Sequence, residues 1–415
     1  MKSGAEAPHS NNNDPVCEFY TDHPYPPPVE NLDRARDEWQ DLKRHRADYH
    51  LFWPDKPYRS NLDILVAGCG TWQAAKYAAC RPNARVLGID FSKTSLDHSE
   101  QLKRKYKLTN LELRELPIER VTALDRHFDL IICTGVLHHL SDPDQGLKAL
   151  GSVLKPDGVA YLMVYAPYGR TGVYMMQQYC RRLGIGTSRQ ELSDLMTLVK
   201  TLSSHHPLTS LLRGARDAAN PDALADALLN PRDRAYAVPE FLDLLDRNDL
   251  KLARWSLQAP YLPHCGSIST TTHGKRLTCL SRSEQFAAME LFRGTMTCHS
   301  AIVGRASIRL PIPFEDDHWT DYVPIRLPNT LCVLERLPPG AAGVLLNQTH
   351  QFHDLILVIN LQEKRMFDAI DGNRSVGQIV KEFGTDAELA RDFFQKLWWF
   401  DQVVFDMSQH QGPTR

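Results

Sequence analysis

The chain has 415 residues, with 48 Lys or Arg against 50 Asp or Glu, and its formal net charge is −2. At roughly 100 to 200 residues per domain, this length predicts two or three domains with ample chain for an apolar core. The near-neutral charge argues against a nucleic-acid partner, because binding to phosphates depends on many Lys and Arg side chains.

The cysteines and the apolar runs indicate the compartment. Nine cysteines are spread along the chain without a C-x-x-C pair, and several, such as Cys133, lie in apolar runs. The first 15 residues carry no apolar stretch typical of a secretory signal, and no run of about 18 apolar residues would cross a membrane. We expect a cytoplasmic protein with reduced cysteines and no membrane contact. No metal site is predicted, because the His and Cys residues between 264 and 299 lack the close spacing of zinc ligands.

The chain begins with a polar stretch. Residues 1–14 include three consecutive asparagines and are expected to form a disordered tail. Residues 15–60 are expected to form an N-terminal aromatic and proline-rich segment and a helix. Residues 19–28 contain four prolines and three aromatic residues. Because proline has no N–H group and a fixed φ angle, this stretch is predicted to be extended.

Residues 61–308 show the pattern of a parallel sheet covered by helices. Apolar runs at 62–67, 84–90, 111–116, 128–134 and 158–166 alternate with helical stretches. From about 170 to 230 the periodicity is helical only, which predicts a helical insertion or lid. A strand at 250–257, a helix capped at Ser281 and a final strand at 301–308 then return the chain to the sheet.

A proline-rich, acidic stretch at 309–324 predicts a linker. Beyond it, residues 325–407 are expected to form a second, small unit. Its elements are a strand at 355–361, a short helix at 366–370, a helix capped by Ser375, an aromatic-rich helix at 389–400 and a strand at 403–405.

The sharpest motif follows the first apolar strand. That strand runs into Gly68-Cys69-Gly70, and twenty residues past Gly70 a second strand ends in Asp90. Glycine lets the backbone approach a ligand closely, and a carboxylate at the tip of the second strand accepts both hydroxyls of a ribose. Positions 71–73 lack the third glycine with which dinucleotide folds bind pyrophosphate, so the motif favours a ligand without pyrophosphate.

Together with two later landmarks, these residues resemble class I S-adenosylmethionine-dependent methyltransferases. The landmarks are residues 128–140, which hold the fourth strand and the loop after it, and residues 154–158, the turn into the fifth strand. The resemblance covers residues 63–166 in the family's order. It implies an α/β fold with a Rossmann-like seven-stranded sheet and S-adenosylmethionine as cofactor, with S-adenosylhomocysteine as its product.

The resemblance also implies roles for single residues. Pro117 stands near the end of the third strand, where many family members carry an acid that bonds the adenine amine, so either Glu115 or the backbone of Leu116 takes this role. Trp72 replaces a usually small residue, and it either shapes the methionine side of the site or wedges under the helix. The cofactor-binding residues implied are Gly68, Cys69, Gly70, Asp90, Phe91, Glu115, Leu116, Pro117 and Thr134.

Catalytic candidates lie on two loops at the same edge of the sheet. In this fold the loop from Thr134 faces the sulfonium, so His138 or His139 is a candidate general base, although many family members carry such a histidine without using it chemically. The fifth strand leads into Tyr165, Tyr168 and Arg170, which either position an acceptor or anchor the lid. Tyr174 shares these alternatives as a substrate-binding candidate.

The N-terminal segment adds two further candidates. Tyr20 and Tyr25 resemble the aromatic and proline-rich segment that precedes this domain in some bacterial methyltransferases. We expect the segment to fold over the cofactor mouth and these tyrosines to contact the substrate.

Residues 325–407 are similar to the small winged-helix-like proteins of the pyrroloquinoline quinone biosynthesis D (PqqD-like) type, through residues 366–380 and the later helix and strand. That family binds peptides by strand addition, which implies delivery of a peptide substrate to the catalytic domain. The alternatives are a dimerisation unit or a purely structural appendage.

The sequence therefore predicts a methyltransferase that acts on a nitrogen or oxygen acceptor. The acceptor belongs to a peptide or protein recruited by the C-terminal unit, or it is a small metabolite selected by the lid. A cofactor-binding scaffold or sensor without turnover stays open because Trp72 and Pro117 depart from the family pattern. A homodimer also stays open.

Overall fold

A computed structural model describes residues 14–214, 220–307 and 311–408. Of the expected disordered tail, residues 1–13 lie outside this part of the chain. The N-terminal segment forms three helices, α1 (Pro15–Asp22), α2 (Asp33–Glu38) and α3 (Leu42–Phe52). The extended conformation predicted from residue 19 is wrong up to residue 22. Helix α1 forms because the Asp14 carboxylate accepts the Val16 N–H and Pro15 occupies the first turn.

A seven-stranded sheet forms the centre of the molecule. Its strands are β1 (Asp63–Ala67), β2 (Arg85–Asp90), β3 (Leu111–Glu115), β4 (Phe128–Thr134), β5 (Leu154–Tyr165), β6 (Leu250–Trp255) and β7 (Cys298–Arg305). They lie in the order β3-β2-β1-β4-β5-β7-β6, and β7 is antiparallel to both of its neighbours. This arrangement confirms the predicted Rossmann-like seven-stranded fold.

Strand β5 begins four residues earlier than predicted. Leu154 pairs with Phe128 before the register shifts, and the regular pairing resumes with Leu130 and Val159. The predicted turn at residues 154–158 is therefore an irregularity within the strand.

Both faces of the sheet are buried by helices. The helices between the strands are α4 (Gln73–Cys80), α5 (Lys93–Tyr106) and α6 (Pro143–Ser152). Helices α3, α4 and α5 bury one face, while α6 and later helices bury the other. Every residue of β1 is buried, as expected for a central strand of a parallel sheet.

In the described residues of the predicted helical insertion, 170–214 and 220–230, there are four helices: α7 (Thr171–Leu183), α8 (Arg189–Lys200), α9 (Pro207–Gly214) and α10 (Pro221–Leu229). They have an apolar core of their own, to which α7 contributes Val173 and Met176 and α10 contributes Leu224 and Leu228. The chain then returns to the sheet through α11 (Val238–Arg247), α12 (Thr272–Leu277) and α13 (Arg282–Arg293), and Ser281 caps α13 as predicted.

The C-terminal unit combines two small sheets with three helices. Its strands are β8 (Val323–Arg326), β9 (Thr330–Val333), β10 (Gly343–Asn347), β11 (Ile356–Ile359) and β12 (Val403–Asp406), and its helices are α14 (Leu361–Asp368), α15 (Val376–Phe383) and α16 (Ala387–Trp399). One sheet has the order β11-β10-β9, and β12 pairs with β8 in the other. Ser375 caps α15 as predicted. Phe314, Trp319 and Tyr322, which were expected in the linker, are buried in the core of this unit.

Two buried carboxylates connect the C-terminal unit to the larger domain. Asp401 accepts hydrogen bonds from the Arg254 side chain (3.0 Å) and from the backbone N–H groups of Gln258 and Ala259 (3.1 and 2.9 Å). Asp406, at the end of β12, lies 3.3 Å from His50 and 3.4 Å from Arg46, both on α3. Within the described ranges, no helix is long and apolar enough to cross a membrane.

Candidate cofactor and acceptor site

The loop between β1 and α4 forms a narrow cradle. Gly68 and Gly70 have φ angles of +67° and +54°, which favour glycine. A Cβ atom on Gly68 would lie 2.5 Å from a methyl carbon of Val136, and one on Gly70 would lie 2.8 Å from Cδ of Pro26. Only glycine therefore fits where this backbone lies so close to Val136 and Pro26.

Asp90 lies at the tip of β2, beside this cradle. Its carboxylate is 8% exposed and accepts hydrogen bonds from the backbone N–H groups of Gly70 (2.8 Å) and Ser92 (2.9 Å). Burial raises the pKa of Asp90, and the backbone hydrogen bonds oppose this increase. The donors fix the carboxylate at the edge of the sheet where open α/β folds bind ligands. A glycine cradle and a fixed carboxylate fit the methionine and ribose parts of S-adenosylmethionine.

The remaining predicted cofactor residues surround this position. The N–H of Leu116 donates to the Asp90 carbonyl (2.9 Å), Glu115 is exposed at the end of β3, and Pro117 precedes a short 3-10 helix. Phe91 follows Asp90 and is half-buried. The Cys69 side chain packs in the core under β1 rather than towards the edge.

Thr134 is joined to a residue that was not predicted from the sequence. The side-chain amide of Gln73, at the start of α4, donates a 2.7 Å hydrogen bond to the Thr134 hydroxyl. This bond connects the loops after β1 and β4 across the cradle. Gln73 could have been predicted to lie at the site from its position just after the glycine motif.

Residues 14–28, which we call the N-terminal strap, lie across the same edge. The Pro26 carbonyl accepts a hydrogen bond from Thr71 (2.6 Å), and the Tyr20 carbonyl lies 3.4 Å from the Ser92 hydroxyl. The Tyr20 ring is 6.3 Å from Phe91 and 6.0 Å from His139, measured between ring centroids. Tyr25 precedes Pro26, and its carbonyl faces Gly70. The strap thus covers the cradle, in agreement with the expectation from its aromatic residues.

The two histidines after β4 have different environments. Both rings are buried, and neither nitrogen of His138 has a hydrogen-bond partner among the described residues. Burial lowers the pKa of His138 well below its usual range, which keeps this ring neutral. His139 instead places Nδ1 2.5 Å from the carbonyl oxygen of Arg232.

Tyr165 lies in a stack of three planar groups. The His138 ring packs on one side, with 3.9 Å between ring centroids, and the Arg170 guanidinium lies 3.5 Å from the centre of the ring. Burial raises the pKa of Tyr165 well above its usual range, so its hydroxyl stays protonated. The stack fixes the ring at the end of β5.

Arg170 is held by the lid rather than directed to a free acceptor site. Its guanidinium pairs with Asp233 (2.8 Å) and donates to the Tyr174 hydroxyl (3.1 Å). Gln177 also donates to Asp233 (2.8 Å). Tyr168 is 42% exposed. The structure therefore places Arg170 and Tyr174 among the groups that anchor the lid.

Further buried polar groups at this edge were missed from the sequence. Asp226 on α10 is 3% exposed and accepts hydrogen bonds from the Tyr20 hydroxyl (2.6 Å) and from Asn230 (3.2 Å). Burial, followed by the nearby Asp226, raises the pKa of Tyr20 well above its usual range. These contacts close the edge between the strap and the lid. Among the described residues, no group of three or more His, Cys, Asp or Glu is placed to hold a metal ion.

Comparisons with known proteins identify a methyltransferase domain in this part of the chain. Residues 65–160 match a family described as a methyltransferase domain. The chain is 28% identical over 316 residues to an uncharacterized protein of Synechococcus sp., covering 74% of this chain and 73% of that protein. It is 30% identical over 96 residues to a ubiquinone biosynthesis O-methyltransferase of Acinetobacter baylyi, covering 23% of this chain and 40% of that enzyme.

Solved structures show the same fold. PKMT2 from Rickettsia typhi matches with a TM-score of 0.61 and 16% identity, covering 89% of this chain and 75% of that one. The structure of PKMT2 in complex with AdoHcy matches with a TM-score of 0.59 and 17% identity, covering 87% of this chain and 73% of that one.

The sheet order, the glycine cradle and the matched domain define a class I methyltransferase fold. The protein is an S-adenosylmethionine-dependent methyltransferase.

Proposed function

We propose that the protein transfers a methyl group to a nitrogen or oxygen atom of an acceptor on a peptide or protein. When bound, S-adenosylmethionine supplies the methyl group from its sulfonium. Gly68, Gly70 and Asp90 would hold the cofactor at the edge of the sheet. The strap and the lid exclude water, because Tyr20 on the strap bonds Asp226 on the lid above the loop after β4.

His139 is the base in this proposal. Its Nδ1 faces a carbonyl oxygen, which only accepts hydrogen bonds, so Nδ1 carries the proton and Nε2 is the free acceptor. The proton that the acceptor loses on methylation passes to Nε2. His138 has no such partner among the described residues and instead packs against Tyr165, which supports a positioning role.

The observation that supports a peptide acceptor is an exposed apolar face on the C-terminal unit. On one face of the β11-β10-β9 sheet, cross-strand partners form two aliphatic rows, and Ile356 and Val358 are 41% and 46% exposed. A solvated sheet face is usually polar, and exposed apolar patches mark interaction sites. The resemblance to PqqD-like proteins also supports peptide recruitment. The rows consist of Leu331–Leu346–Ile356 and Val333–Val344–Val358.

A small metabolite is the second candidate acceptor. It is favoured by the enclosure of the site, because Tyr20, Asp226 and Asn230 close the space between strap and lid. In that case the lid residues alone select the acceptor.

Incubation with methyl-labelled cofactor and cell extract, followed by separation of large and small products, distinguishes the two acceptors. We expect label in macromolecules, and an Ile356→Lys/Val358→Lys variant should lose most of it. Leu389→Lys, at an exposed leucine of α16, is the matched control. Label confined to small molecules would support the metabolite, and no label in either fraction would contradict both.

The base is tested with the acceptor that this experiment identifies. His139→Gln should lower kcat by about 10²- to 10⁴-fold without weakening S-adenosylhomocysteine binding, because the proton acceptor is lost. His127→Gln, at an exposed histidine, is the control. If His138→Phe abolished turnover while His139→Gln did not, His138 would be the base and His139 would not.

A further inference from the structure

We propose that Arg232 is a positioning residue that connects the N-terminal strap to the base, so that His139 has its working orientation only while the strap is in place. This inference rests on the proposed role of His139. It gives the strap a role in the rate as well as in covering the cofactor.

Arg232 contacts His139 in two ways. Its carbonyl oxygen lies 2.5 Å from Nδ1 of His139, and its Nη1 donates to the carbonyl oxygen of His139 at 3.1 Å. The first contact determines which ring nitrogen carries the proton, and the second holds the backbone of the same residue. Arg232 therefore fixes both the ring and the main chain of the proposed base.

The strap holds Arg232 through Asp14. Nη1 of Arg232 is also 3.1 Å from Oδ2 of Asp14, while Oδ1 of the same carboxylate caps α1 by accepting the Val16 N–H at 2.8 Å. One carboxylate thus joins the start of the strap helix to the residue that orients the base. Both side chains of the pair are about one-third exposed.

A second, buried contact connects the strap to residues 230–232, the segment that contains Arg232. Oδ1 of Asn230 accepts a hydrogen bond from the backbone N–H of Arg232 (3.0 Å). Nδ2 of Asn230 donates a hydrogen bond to the Tyr20 hydroxyl (3.1 Å). The strap therefore contacts this segment at both ends of α1, through Asp14 at the start of the helix and Tyr20 near its end. Removal of the strap would release the Arg232 carbonyl from its position against His139.

The test measures three variants of the 415-residue chain on the acceptor identified above. Arg232→Ala should lower kcat about 10- to 100-fold and leave the Kd for S-adenosylhomocysteine within about twofold, because the base loses orientation but the cofactor keeps its contacts. Arg232→Lys, which keeps a cation facing Asp14, should recover most of the loss. Arg234→Ala, at an exposed arginine two residues away, should have the wild-type rate. Equal losses in Arg232→Ala and Arg232→Lys, or an unchanged kcat in Arg232→Ala, would overturn the inference.

A double variant separates this inference from the assignment of the base. In the His139→Gln background, Arg232→Ala should cause no further loss of kcat, because both changes act through the same ring. Additive losses would show that Arg232 acts independently of His139 and would overturn the inference. A wild-type rate in His139→Gln alone would instead remove the proposed base.

Discussion

Asp90 contributes to the cofactor site through its position more than through its charge alone. Its carboxylate is buried at the tip of β2 and is already oriented by two backbone N–H groups. A ribose therefore meets an acceptor that needs no reorganisation, which favours tight binding.

We predict that Asp90→Ala weakens S-adenosylhomocysteine binding by about 100-fold or more, because hydrogen bonds to a charged group contribute about 1.5 to 3 kcal/mol each. Calorimetry measures the change directly. Asp97→Ala is the control, since Asp97 is an exposed carboxylate on α5 that pairs with the exposed Lys93. An unchanged Kd for Asp90→Ala would refute the site.

The residues that could be predicted from the sequence share a local signal. Gly68, Gly70 and Asp90 follow the first two apolar strands at a spacing that the sheet dictates. Arg232 and Asp226 have no such signal, because they lie more than 90 residues beyond β4 and reach the site only through the packing of the lid. Functional residues at the ends of adjacent strands can therefore be predicted from the sequence, whereas contacts made by an inserted segment cannot.

At the scale of elements, the strap shows how competing local signals are resolved. Its prolines and aromatic residues predicted an extended segment, yet Asp14-Pro15 is a helix start and residues 15–22 are helical. The capping pair was visible in the sequence and outweighed the prolines because all four of them lie after the helix. In contrast, the start of α15 at Ser375 was predicted correctly from the same kind of cap.

Removal of residues 1–28 should weaken S-adenosylhomocysteine binding and lower kcat, because the strap covers the glycine cradle and contacts the loop of His139. Calorimetry and single-turnover rates measure the two effects separately. A protein lacking only residues 1–13 is the control, since it retains Asp14 and α1. Undiminished affinity and rate in the longer deletion would exclude a functional role of the strap.

At the scale of the whole molecule, the C-terminal unit is held firmly against the larger domain. Asp406 bridges β12 to α3, and although burial raises its pKa, the neighbouring His50 and the hydrogen bonds from Ser408 leave that pKa well below its usual range. A depressed pKa in the folded protein means that the carboxylate stabilises the fold above about pH 4, the unfolded value. This stabilisation is lost as the pH falls further.

We therefore predict that Asp406→Asn lowers the free energy of unfolding by about 2 kcal/mol at pH 7. The difference from the wild type should shrink progressively below about pH 4, where protonation removes the same charge from the wild-type protein. Urea unfolding at several pH values measures both quantities. Asp97→Asn, at an exposed carboxylate of α5, serves as the comparison. A pH-independent difference for Asp406→Asn would contradict the assigned cause.

The pairing of α3 with β12 also has a consequence for biosynthesis. The backbone N–H of Met407 donates a hydrogen bond to the Pro54 carbonyl (2.7 Å), and Ala47 packs with Val404. These contacts join segments that lie about 350 residues apart in the sequence. At about 5 to 20 residues per second, the ribosome releases β12 roughly 20 to 70 seconds after α3. During this interval the methyltransferase sheet can form while the outer side of α3 stays uncovered. Strand β12 therefore completes, later in synthesis, a surface that α3 began.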